Sequence, residues 1–211
     1  MPNVDLSLCV ILDREIERDL PLAEFVRQVI EAGATCLQVR LKNEDARAIQ
    51  DFTAAVMRLA RPRSVPVIVN DRLDVALAAG ADGVHVGETD LAVADVRRIA
   101  GPGLVVGASA SGADVARRAA AAGADYVGMG PVFRSPSKPG VEPVGWEAFS
   151  AARRIISLPM VAIGGINHSN LHVPLDHGAD GIAVISALRQ CPSPGEAMSR
   201  LRRAFEEAKK R

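Results

Sequence analysis

The chain carries no excess of either charge: 25 Lys and Arg stand against 25 Asp and Glu in 211 residues. No long basic run interrupts it. A nucleic-acid surface needs clustered cations to meet phosphates, so the partner implied is a small molecule instead. Cysteine is scarce. Cys9, Cys36 and Cys191 have neither metal-ligand nor paired redox spacing, and Cys9 and Cys36 fall inside apolar runs where a thiol behaves as a small hydrophobe. That usage implies a reducing compartment. No apolar run approaches membrane-spanning length, and the start, MPNVDLSLCVIL, lacks the basic segment and long apolar core of a secretory signal. The expectation is a soluble cytoplasmic protein, residues 1–211 forming one domain. Also missing are a Gly-x-Gly-x-x-Gly after the first strand-like run, which argues against an open dinucleotide-binding sheet, and any Ser-His-Asp arrangement.

What the chain does contain is a regular alternation. Strand-like runs fall at Leu6–Leu12, Cys36–Arg40, Val67–Asn70, Gly83–Val86, Leu104–Ser109, Tyr126–Met129, Met160–Ile163 and Gly181–Ile185. Between and after them, helical periodicity predicts helices near Leu22–Ala32, Asp45–Arg61, Arg72–Ala79, Leu91–Ala100, Ala113–Ala122, Trp146–Ile156, Asn170–His177 and Gly195–Lys209. Four helix ends carry one phrase before the next strand: AGAT at 32–35, AGAD at 79–82, AGAD at 122–125 and HGAD at 177–180. In each, glycine closes the helix in a left-handed conformation and the small residues allow a tight return to the sheet. These phrases carry fold and not chemistry. Mostly apolar strands with little alternation are buried on both faces, as in a parallel sheet covered by helices. Eight βα units then predict an α/β fold of the (β/α)₈ barrel type.

In such a barrel the groups just after the strand C-termini line the active site. The second strand ends in Gln38-Val39-Arg40-Leu41-Lys42, where residues two apart share a face, so Gln38, Arg40 and Lys42 can all point inward. Two cations in one mouth suit a diphosphate. Asn70-Asp71 follows the third strand and Asp90 the fourth. Carboxylates beside a diphosphate suit Mg²⁺, although each aspartate alone could serve only as a helix cap. Ser109 ends the fifth strand and could likewise cap the next helix. The loop after the sixth strand presents Ser135, Ser137 and Lys138, two hydroxyls and an ammonium that can converge on an anion; the competing reading is a Pro- and Ser-rich surface turn. Gly164-Gly165 and Ile185-Ser186 follow the seventh and eighth strands, the two loops with which barrels often bind phosphate. His85 is read as a satisfied core residue, with a mouth-facing position as the alternative.

Taken together, QVRLK at 38–42, VNDR at 69–72, ADGVHVGETD at 81–90, GADYVGMGPVFRSPSK at 123–138, AIGGI at 162–166 and AVISAL at 183–188 resemble the thiamine-phosphate synthase family, in order across nearly the whole chain. The resemblance implies a transferase of thiamine biosynthesis that joins two small phosphorylated heterocycles, an aminopyrimidine diphosphate and a thiazole phosphate, with release of diphosphate. It assigns Gln38, Arg40, Lys42, Asn70, Ser109 and Lys138 to the pyrimidine diphosphate, with Lys138 and Arg40 catalytic. It assigns Asp71 and Asp90 to Mg²⁺, and Ser135, Pro136, Ser137, Gly165, Ile185 and Ser186 to the thiazole phosphate. The chain departs from the family pattern at Cys9 (an aromatic in many members), Leu41 (Glu), Glu88 (Gln), Ser111 (His), and Ser135 and Ser137 (Thr). The alternatives are a barrel resembling the thiazole tautomerases and a non-catalytic phosphate-binding relative with a regulatory role. Self-association stays open.

Overall fold

The computed structural model describes residues 4–18, 20–134, 140–189 and 191–210. Its strands are β1 (Leu8–Leu12), β2 (Cys36–Val39), β3 (Val67–Asn70), β4 (Gly83–Val86), β5 (Val105–Ala110), β6 (Tyr126–Met129), β7 (Met160–Ile163) and β8 (Gly181–Val184). Each pairs in parallel with the next, and β1 pairs with β8, so the sheet closes into a barrel. The helices are α1 (Leu22–Glu31), α2 (Ala46–Ala60), α3 (Leu73–Ala79), α4 (Val93–Ala100), α5 (Ala113–Ala121), α6 (Trp146–Ile155), α7 (His172–Asp176), α8 (Ser186–Arg189) and α9 (Pro194–Ala208). This is the (β/α)₈ barrel expected from the alternation.

Two apolar layers account for strands buried on both faces. Outward residues such as Val10, Leu37, Val69, Val84, Val127 and Ile182 pack against helix residues including Phe25, Val29, Phe52, Phe149 and Leu201. Inward residues Cys9, Ile11, Cys36, Ile68, Val105, Tyr126, Val161 and Ala183 fill the barrel itself. An alternating strand here would leave one face wet; a barrel sheathed in helices leaves neither.

The repeated phrase proves to be a two-point clamp. Asp82, Asp125 and Asp180 each give their backbone N–H to the carbonyl of Val67, Val106 and Met160, at 2.9, 2.7 and 2.8 Å. The same aspartates return a carboxylate oxygen to the N–H of those same residues, at 2.8 Å in all three cases. Thr35 does the same with Leu8, its N–H donating at 3.0 Å and its Oγ1 accepting at 2.9 Å. Every odd strand is thus tied at its N-terminal end to the even strand that follows, which divides the barrel into quarters. The glycines of the phrase, Gly33, Gly80, Gly123 and Gly178, all have positive φ, as the helix ends require.

Differences from the sequence reading sit at element ends. The fourth helix starts at Val93, not Leu91, because the Asp90 side chain turns back to accept from Gly87 N at 2.7 Å and holds the preceding loop apart from the helix. The seventh starts at His172, not Asn170, because the Asn170 side chain is engaged with Gly165 O at 3.0 Å and Asn167 N at 2.8 Å. The four-residue α8 was not anticipated, being too short to show a period.

Candidate functional site

At the C-terminal ends of the strands lies a cavity of about 370 Å³. Gln38, Arg40 and Lys42 all line it, as a two-residue step along β2 requires, together with Asn70 and Asp71 after β3, Asp90 after β4 and Ser109 on β5. Gly165, Ile185 and Ser186 line its opposite side. Ser135, Pro136, Ser137 and Lys138 lie outside the described residues.

The capping roles open to the polar residues are not the ones they adopt. The residue preceding α3 is Arg72, that preceding α4 is Ala92 and that preceding α5 is Gly112, and none makes a side-chain cap. Asp71 instead holds a left-handed backbone at φ 66°, fixed by its N–H donating to His85 O at 2.8 Å. A non-glycine residue there is uncommon, and Asp is among the few that tolerate it. Its carboxylate faces Lys42 Nζ at 3.6 Å. Burial is the first cause that pushes the Asp71 carboxyl above its ordinary range, and the Asp90 side chain the second; Lys42 and Arg40 pull the other way. A divalent cation would relieve that crowding, so the donor set fits one. No cluster of three or more His, Cys, Asp or Glu suited to a metal occurs among the described residues. Two carboxylates alone suit an ion that draws its remaining oxygens from water and substrate phosphate, the habit of Mg²⁺.

On the far side, Gly165 (φ 67°) passes so close to the β6 loop that a Cβ there would stand 2.6 Å from Arg134 O and from Phe133 Cβ. The loops after β6 and β7 run together, Val132 N donating to Ile163 O at 2.8 Å and Phe133 N to Gly164 O at 3.1 Å. Arg189, at the end of α8, binds Asp13 Oδ2 at 3.0 Å and also pairs with Glu15, fastening the β8 loop to the β1 loop.

Beneath the mouth sits a polar group that the sequence reading divided or missed. His85 is 8% exposed, so it is buried as expected, yet it also lines the cavity. Its Nδ1 lies 2.9 Å from Tyr126 Oη and its Nε2 3.0 Å from Ser109 Oγ. In the sequence Tyr126 shows only as the start of a strand. The step of two applied to β2 would have found both residues, since Tyr126, Gly128 and Gly130 share the inward face of β6, as His85 and Gly87 do on β4. Two departures from the family pattern meet in space: Glu88 Oε1 accepts from Ser111 N at 2.8 Å, joining the β4 and β5 loops. Cys9 and Cys36, register partners on β1 and β2, are buried and free. The neighbouring Cys9 thiol, and then burial, push the Cys36 thiol well above its usual range, which makes it inert, as its apolar setting suggests.

A closed barrel whose mouth collects two cations, two carboxylates and several hydrogen-bond donors is that of an α/β-barrel enzyme acting on small anionic molecules. The chain belongs to the thiamine monophosphate synthase family, whose pattern matches residues 8–188. It is 39% identical over 211 residues to the thiamine-phosphate synthase of Caldanaerobacter subterraneus subsp. tengcongensis, covering 98% of this chain and 99% of that protein. It is 43% identical over 201 residues to the thiamine-phosphate synthase of Chlorobium phaeovibrioides, covering 95% and 94%. Among solved structures, a thiamine phosphate pyrophosphorylase from Pyrococcus furiosus superposes with a TM-score of 0.87 at 37% identity, covering 97% of each chain.

Proposed function

We infer that this chain is a thiamine-phosphate synthase: a transferase that joins an aminopyrimidine bearing a diphosphooxymethyl arm to a thiazole bearing a phosphooxyethyl arm. The bond from the pyrimidine methylene to the diphosphate oxygen breaks, its electron pair leaving with diphosphate. The thiazole nitrogen then supplies the pair for the new carbon–nitrogen bond. The observation that carries this reading is the convergence of Arg40, Lys42, Asp71, Asp90 and Ser109 on one side of a single cavity, with Gly165 and Ser186 on the other. That arrangement offers separate places for two phosphorylated arms, in a chain matching curated thiamine-phosphate synthases along nearly its whole length.

The pyrimidine diphosphate is assigned to Gln38, Arg40, Lys42, Asn70 and Ser109, joined by Lys138 from the loop after β6. Arg40 and Lys138 meet the charge that grows on the leaving diphosphate, where fixed donors act most strongly. Asp71 and Asp90 would hold Mg²⁺, which supplies further neutralisation of that charge. The thiazole phosphate is assigned to Ser135, Pro136, Ser137, Gly165, Ile185 and Ser186, with α8 held in place by Arg189. No nucleophile of the protein is needed, because the barrel positions two reactants and shields them from water. The tautomerase alternative would place a proton-transferring histidine in the loop after β5. Here that loop reads Ser109-Ala110-Ser111-Gly112, and a histidine reaches Ser109 from β4 instead. The test is an incubation with both substrates and Mg²⁺. Diphosphate release that requires all three supports the reading; conversion of the thiazole tautomer without diphosphate release refutes it.

A further inference from the structure

The floor of the cavity holds a polar chain in an otherwise apolar barrel. Its members are Tyr126 on β6, His85 on β4 and Ser109 on β5, and all three line the cavity. Tyr126 Oη lies 2.9 Å from His85 Nδ1, and His85 Nε2 lies 3.0 Å from Ser109 Oγ. The two rings are tightly seated. A Cβ on Gly107 would stand 2.2 Å from Tyr126 Cζ, and one on Gly128 would stand 2.9 Å from His85 Cε1. Glycine at both positions lets the rings lie against the strand backbone.

We propose that Tyr126 and His85 are positioning residues for the aminopyrimidine: through one directed chain of hydrogen bonds they fix the Ser109 hydroxyl as a donor toward the cavity. The direction follows from the donor inventory. Burial first, and then Cys9 and Cys36, hold the phenol well above its ordinary range, so Tyr126 keeps its proton. A buried phenol hydrogen left without an acceptor is costly, and His85 Nδ1 is the side-chain acceptor within reach among the described residues, so Tyr126 gives its hydrogen to His85 Nδ1. His85 then carries its proton on Nε2 and donates to Ser109 Oγ, which leaves the serine hydrogen to turn outward. A hydroxyl that donates from the floor of the cavity suits a ring nitrogen of an aminopyrimidine, which accepts. This assignment of the ring rests on the synthase reading; the direction of the chain does not.

The direction is tested in the substrate-free protein by NMR of nitrogen-labelled histidine, with His85→Gln identifying the resonance. A neutral ring protonated on Nε2, perturbed by Tyr126→Phe, is the expected result; a proton on Nδ1 overturns the chain. The consequence is tested by kinetics. Tyr126→Phe keeps the ring against Gly107 and raises KM for the pyrimidine diphosphate about tenfold, leaving KM for the thiazole phosphate unchanged. His85→Gln, which can still donate to Ser109, recovers part of the loss caused by His85→Leu. Equal shifts in both KM values, or none, overturn the positioning role. If the wild-type protein releases no diphosphate, the synthase reading and the pyrimidine assignment fall together, while the tautomer still decides the chain.

Discussion

The two ends of this barrel follow opposite rules. At the N-terminal end one clamp is used four times, with Thr35, Asp82, Asp125 and Asp180 each holding both backbone groups of a single residue on the preceding strand. At the C-terminal end nothing repeats. β2 ends in cations, β3 in an amide and a carboxylate, β5 in a hydroxyl and β7 in paired glycines. A clamp that completes the hydrogen bonds of buried backbone has one good solution, and it can recur wherever a strand begins. A site for two different substrates needs a different group at every position. Repetition therefore marks the part of the molecule that holds the fold, and its absence marks the part that does the chemistry.

Substitutions at the two ends should separate activity from stability. The largest effect is expected at the residues proposed to meet the leaving diphosphate: Arg40→Ala and Lys138→Ala each lower turnover by about 10²-fold or more under saturating substrates. Thermal melting should stay close to wild type, and a variant that melts early would place the residue in the scaffold. Next comes the clamp. Asp125→Ala strips the Val106 N–H and Arg97 of their shared partner and should cost about 2 kcal/mol of stability, read by denaturant unfolding. Its kcat/KM well below the melting temperature should match wild type; a loss of activity without loss of stability would break the comparison.

The smallest effect runs against intuition. Asp71 has its folded pKa raised, chiefly by burial, so the folded protein binds more protons than the unfolded chain just above the ordinary aspartate range. Stability therefore falls as pH rises through that window, and the cost persists at neutral pH. Asp71→Asn removes the charge and should melt slightly higher than wild type in metal-free buffer, while losing the Mg²⁺ dependence of turnover. Asp90→Asn should lose the same dependence. Wild-type metal responses in both variants would show that these carboxylates hold no cation.

Much of this division is legible in the sequence, for different reasons at the two ends. Apolar runs and helix closures recur, so the strands and the barrel follow from period alone, and the four phrases stand out before their purpose is visible. What the phrase does not disclose is that its last residue reaches back across the sheet, because that contact depends on strand pairing. At the mouth, Gln38, Arg40 and Lys42 are readable since charges at alternate positions of a buried strand demand a partner. Tyr126 and His85 are harder to read, because an aromatic and a histidine inside apolar runs look like core. Only the closed barrel shows that β4, β5 and β6 bring them to Ser109. The contacts of Glu88 with Ser111 and of Arg189 with Asp13 join loops far apart in sequence and leave no local trace.

The separation of the two ends is tested most directly by hydrogen exchange with the pyrimidine diphosphate and Mg²⁺ present. Slowed exchange should be confined to backbone amides in the stretches 38–42, 70–72, 87–90 and 109–111, with no change at 32–35, 79–82, 122–125 and 177–180. Protection spread equally over both ends, or appearing only at the clamps, would contradict a barrel that keeps its chemistry at one end and its fold at the other.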